Sequence, residues 1–249
     1  MRRLLYILIV ASLAIVPAGL SYAADGQEDE DLTLYSGRRI TPSLQIILPL
    51  YFGTTFLPEV DYSGPWADTG YGNFLDTRIY QNFFFGIEMV GMRLSAKASP
   101  LEANIGLRWS LMNYSMSDTS LTFRGDASPS SVTFLPVRIA DIDPRYDGTR
   151  SRIHASYLGL PVRFVVKFAK RGKAYAGASA EMLVSGSAKY GKPATRTDAY
   201  TLFSPFRATV EGGISYYGFG LWASYGLTPF FLPDCSSART LSFGLIIGI

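Results

Sequence analysis

Near its end this chain alternates strictly between two kinds of residue: Thr240, Ser242, Gly244 and Gly248 take turns with Leu241, Phe243, Leu245, Ile247 and Ile249. Small or polar on one side and large and apolar on the other, at a period of two, is the pattern of a β-strand with two unlike faces. A strand whose apolar face runs on to the last residue is suited to a sheet closed on itself in lipid. There the apolar face meets hydrocarbon and the polar face meets a lumen.

The same alternation recurs upstream. Ile40 to Phe52 sets Leu44, Ile46, Leu48 and Leu50 against Ser43, Gln45 and Pro49. Tyr80 to Lys97 begins with Phe83, Phe85, Ile87 and Met89 on its apolar face and ends with Met92 and Leu94, so its parity switches. One extra residue flips every later side chain, which predicts a bulge near Val90–Gly91. Further strands are expected over 101–114, 153–168, 174–189, 206–217 and 219–230. With the closing strand these make an all-β chain of eight antiparallel strands, an outer-membrane type of transmembrane barrel. The expected connections alternate in length: 53–79 long, 98–100 short, 115–152 long, 169–173 short, 190–205 medium, then Gly218 alone and 232–238. Tight turns at one end and long loops at the other are what such a barrel shows when both termini lie in the periplasm.

The spacing Ser242-x-Gly244-x-x-Ile247-x-Ile249 resembles the C-terminal signal by which bacterial outer-membrane barrels are recognised for assembly, with Ile249 in place of the usual terminal aromatic residue. At the other end Arg2 and Arg3 precede an apolar run from Leu4 to Val16, and Ser21-Tyr22-Ala23 offers small residues at a cleavage site. Residues 1–23 therefore read as a signal peptide. Residues 24–38, with Asp25, Glu28, Asp29, Glu30 and Asp31, read as a disordered acidic periplasmic leader, and 39–249 as the barrel domain. The formal charge of +3 falls to +1 once Arg2 and Arg3 are gone, which suggests no nucleic-acid partner. Cys235 is the only cysteine, so an internal disulfide is excluded.

The inward parity collects charge. Glu88, Glu102, Glu181 and Glu211 share it with Arg93, Arg108, Arg163, Lys167 and Arg207. An eight-stranded barrel is just wide enough for side chains to fill, and buried ions need partners, so these nine residues are expected to form a network that plugs the lumen. Catalytic candidates are few. His154 is the only histidine, His154-x-Ser156 has no carboxylate on its strand to orient an imidazole, and Asp141-x-Asp143-x-x-x-Asp147-Gly148 misses the calcium-loop spacing. No catalytic, metal or cofactor site is expected.

The stretches Tyr157-Leu158-Gly159-Leu160-Pro161-Val162-Arg163-Phe164, Tyr175-Ala176-Gly177-Ala178-Ser179-Ala180 and Tyr225-Gly226-Leu227-Thr228, with Gly106-Leu107-Arg108-Trp109 and Asn113-Tyr114, resemble the PorT-like outer-membrane β-barrel proteins of Bacteroidota. That resemblance implies a barrel fold and, in some relatives, assistance in secreting surface proteins. The expected role is a non-enzymatic envelope component, structural, binding or secretion-associated. Its expected partners are outer-membrane lipid, the barrel-assembly machinery during insertion, and another envelope protein met through the external loops. The alternative is a transporter of small or hydrophobic solutes, with a lipid-modifying enzyme ranked behind it.

Overall fold

The computed structural model describes residues 40–45, 49–96, 100–128, 131–146, 148, 150–168, 171–191 and 193–248. The expected signal peptide and leader, most of the 98–100 turn, and Ile249 lie outside the described residues. The chain divides into two compact units, Met1–Thr41 and Pro42–Ile249. The second carries the fold.

The described strands are β1 (Ile40–Gln45), β2 (Leu50–Phe56), β3 (Phe83–Ala96), β4 (Leu101–Ser115), β5 (Leu121–Ser128), β6 (Ser131–Arg138), β7 (Ser151–Lys167), β8 (Gly172–Tyr190), β9 (Thr195–Asp198), β10 (Phe206–Tyr216), β11 (Phe219–Gly226) and β12 (Leu241–Ile247). Eight of them run in the order β3-β2-β12-β11-β10-β8-β7-β4, and β4 pairs back with β3 to close the sheet into a barrel. Closure leaves these eight strands without a free edge. Every ladder between them is antiparallel.

The expected inward and outward faces hold along most of this wall. Leu160, Val162, Phe164 and Val166 are exposed on the outside of β7, while Tyr157 and Arg163 are buried within. On β12, Phe243 and Leu245 face out and Ser242 is buried. The bulge in β3 falls between Glu88 and Val90, one residue from where the parity switch puts it. A second bulge has no counterpart in the sequence reading. Ser156 pairs with Ser185 and Tyr157 with Leu183, so Val184 is the extra residue. Ser185, which shares the parity of Glu181, is exposed as a result, and Ser187 takes the buried place.

Several boundaries differ from expectation. The first strand is two pieces, β1 and β2, with Pro49 just before the second. Proline has no N–H to offer a ladder, although its carbonyl still accepts from the Glu88 amide at 3.1 Å. β2 then continues to Phe56 rather than stopping at Phe52. Ile79–Gln81 is a 3-10 turn, so β3 begins at Phe83 rather than Tyr80, and β11 ends at Gly226 rather than Phe230.

The larger departure is at the long-loop end. The segment 115–152, expected to be a long connection, holds the β5–β6 hairpin, and β9 adds to β8 within the next loop. Aromatic residues from separate loops meet there. Trp66 packs against Phe74, Phe123 and Phe231, and its indole donates to the Phe134 carbonyl at 2.7 Å. Phe231 in turn touches Phe203 and Phe230, and Phe230 reaches the barrel residues Tyr114 and Tyr157. Burying such large apolar surface folds these loops onto one another as a roof.

Candidate functional site

The lumen brings the predicted charges together. Arg207 lies 3.9 Å from Glu181, and Glu181 3.3 Å from Arg108. Arg108 pairs with Glu211, Glu211 pairs with Arg163, and Arg163 reaches Glu88 at 2.7 Å. The result is one chain of six side chains with alternating sign, drawn from β10, β8, β4, β7 and β3. Each of its members is 5 % exposed or less. The remaining three form a separate cluster at the short-turn end, where Glu102 binds Lys167 at 2.6 Å and lies 3.6 Å from Arg93.

Room for these groups comes from glycine. A Cβ on Gly106 would stand 2.1 Å from a carboxylate oxygen of Glu88, so β4 yields space to the acid on the adjacent β3. Gly159 lies directly opposite Glu181 and Gly177 directly opposite Arg163. Gly244 has another task. Its Cβ would lie 2.0 Å from the Phe52 carbonyl oxygen, on the β2 backbone. The close approach of two strands therefore explains that glycine.

Aromatic rings line the charged chain. Tyr51 sits under the guanidinium groups of both Arg108 (5.2 Å) and Arg163 (5.6 Å), and Arg207 lies over Tyr157 at 4.7 Å. Such contacts stabilise a desolvated cation further. Arg207 also donates to the Thr240 hydroxyl at 2.8 Å. The lumen also has an apolar part, where Phe84 packs against Trp222 and Ile246 is buried.

Of the C-terminal positions, Ser242 is buried and donates to the Thr55 hydroxyl at 2.8 Å, Gly244 meets the β2 backbone, and Ile247 pairs with Leu50. The Ser156 hydroxyl, next but one to His154, accepts from the Trp109 indole at 2.6 Å. Among the described residues no group of three or more His, Cys, Asp or Glu is placed to hold a metal ion. Cys235 lies buried in the roof; burial pushes its thiol pKa up and the nearby Asp234 adds to the shift, which makes it a poor nucleophile.

One structural residue was missed by the sequence reading. The β2–β3 ladder covers only Leu50–Gly53 against Phe84–Ile87, so the wall beyond it has no backbone pairing. Asn82 closes that gap. Its side-chain amide donates to the Thr55 carbonyl at 2.8 Å, and its oxygen accepts from the Ser115 amide at 2.8 Å. Asn82→Ala will leave both buried backbone groups unpaired and destabilise the barrel by about 1 to 3 kcal/mol. Thermal unfolding checks the magnitude, and faster hydrogen exchange at the Ser115 amide checks the location. An asparagine before a strand carries no signal of this role until the register is known.

No protein-family model and no curated protein matches this chain. The fold and the lumen define it as a closed eight-stranded antiparallel β-barrel.

Proposed function

We propose that this barrel resides in a bacterial outer membrane as a non-enzymatic envelope component of the PorT-like kind, its lumen plugged by the charged chain and its outer mouth covered by the aromatic roof. The observation that carries the membrane reading is the outer wall. Tyr80, Phe83 and Phe206 are exposed at the long-loop end, and Phe168, Tyr216 and Phe219 at the other. Between them lie Leu160, Val162, Val210, Ile214 and Leu221, all exposed. Phe206 and Tyr216 bound β10; ten residues at about 3.3 Å each, tilted by about 40°, rise about 25 Å. That is the height of the apolar band of such barrels, and aromatic girdles mark its two edges.

The pairing supports the plug. A permeation path needs mobile water and charges free to meet a solute, whereas the six central side chains are each committed to a neighbour of opposite sign. A barrel closed in this way acts through its surface, and the folded loops offer an outward platform for another envelope protein. PorT-like relatives lend the secretion-associated form of that role by resemblance.

Two measurements test the reading. Vesicles containing the purified protein are expected to show no steady conductance, and a persistent open state would favour a transporter instead. In intact cells of a Cys235→Ser background, an impermeant thiol reagent is expected to label Asp68→Cys in a long loop and to spare Arg171→Cys at the short-turn end. The reverse pattern would invert the topology.

A further inference from the structure

The charge balance of the lumen breaks at one end. The central chain has three acids and three bases, but the cluster at the short turns has Arg93, Lys167 and Lys173 around a single carboxylate, Glu102. Glu102 is 3 % exposed and is shared by Lys167 and Arg93. Lys173 lies directly opposite Lys167 in the β7–β8 register. Like charges facing each other across a ladder destabilise it, so the strands are here paired against their own electrostatics. Such a local conflict marks a site used for something else.

Hydrogen bonding in this cluster is also incomplete, with Arg93 Nε and the acceptor oxygens Glu102 Oε2 and Asn104 Oδ1 all unpartnered. The Lys173 side chain makes no hydrogen bond or ion pair among the described residues, and the buried Nε of Arg93, 3.6 Å from Glu102, has no hydrogen-bond partner. Both line one small cavity with Asn104, whose buried side-chain oxygen is likewise unpartnered. The acid that lines that cavity, Glu88, is held by Arg163, which lines it too, and Lys167 and Glu102 lie outside it. The site is open to solvent, because the Lys167 side chain is 42 % exposed and that of Arg93 21 %.

We propose that Arg93, Lys167 and Lys173 form an anion site at the short-turn mouth that takes a phosphate group, from either a free phosphate or an anionic phospholipid headgroup. Two excess positive charges suit a phosphate, and its oxygens can accept at once from two ammonium groups and a guanidinium fork. The proposal rests on the barrel register and stands apart from the membrane and plug readings.

The test uses the full chain in a neutral, phosphate-free detergent, titrated with inorganic phosphate by calorimetry, and in parallel native mass spectrometry after exposure to phosphatidylglycerol. Saturable phosphate binding points to the free ion, and retention of phosphatidylglycerol without it points to a headgroup. In whichever arm binds, Lys173→Gln is expected to weaken affinity by about tenfold, the loss of one charge-assisted contact. Arg171→Gln, in the adjacent turn where Arg171 stacks on Tyr217 at 4.4 Å, is expected to leave it unchanged. Lys173→Glu is expected to abolish binding and raise the melting temperature, since it supplies the missing acid; this variant shows that loss of binding is not loss of fold. No binding in either arm, or binding indifferent to Lys173→Gln, overturns the proposal.

Discussion

Glu211→Ala will be the most damaging single truncation in the lumen, lowering stability by about 3 to 5 kcal/mol. Glu211 bridges Arg108 and Arg163, and its side chain is fully buried. Removing it takes the shared acid from two guanidinium groups, each 2 % exposed, and leaves three buried bases with two acids: Arg108 keeps only the longer pair with Glu181, and Arg163 keeps Glu88. Uncompensated buried charge dominates such a loss, since neither arginine can shed its proton. Glu181→Ala should cost less. Its pairs are longer, 3.3 and 3.9 Å, and Arg207 keeps the Thr240 hydroxyl and the rings of Tyr157 and Phe230. Glu102→Ala should cost least, because Lys167 can turn to water. Unfolding midpoints in detergent measure the order Glu211, Glu181, Glu102; equal midpoints for all three would mean that the chain does not act as a connected unit.

The six members of that chain and the three of the separate cluster could be named from parity alone, because period-two alternation assigns a side to every residue of a strand. Their partners could not. Pairing depends on register, and register here is altered by the bulges at Met89 and Val184, only the first of which announces itself by a switch of apolar face. The space-giving glycines are hidden for the same reason: Gly159 matters because it stands opposite Glu181, and nothing within β7 says so. The roof was less legible still. Trp66, Phe74, Phe203 and Phe231 sit in segments with no period of either 2 or 3.6, so they read as scattered aromatics in polar loops, and the short alternation around Phe123 does not say which face meets them. Only the closed barrel, which gathers those loops at one mouth, makes them neighbours. Interruption of the first strand was written in Pro49, yet a proline at the start of a strand is also tolerated, and the strong alternation on both sides concealed the break.

The outer wall sets up a test that separates a membrane barrel from a water-soluble one. Val210 lies midway along β10, between Tyr225 and Ala178 on the flanking strands, with its side chain outward and partly exposed. In water, replacing an exposed valine by arginine changes stability by no more than about 0.5 kcal/mol, as for most surface substitutions. In a bilayer the same residue is at the middle of the apolar band, where arginine costs about 2 to 4 kcal/mol, whereas near the interface the cost falls to about 0 to 1 kcal/mol. Val210→Arg should therefore impair assembly into lipid vesicles much more than Tyr216→Arg, which places the same charge on the same strand at the aromatic edge. Both side chains point outward, so packing inside the barrel is untouched and depth alone distinguishes them. Refolding into vesicles of defined thickness, with stability read from denaturant titration, gives the two costs directly. Two small and equal values would place this wall in water and leave its exposed apolar band to be explained by a protein partner.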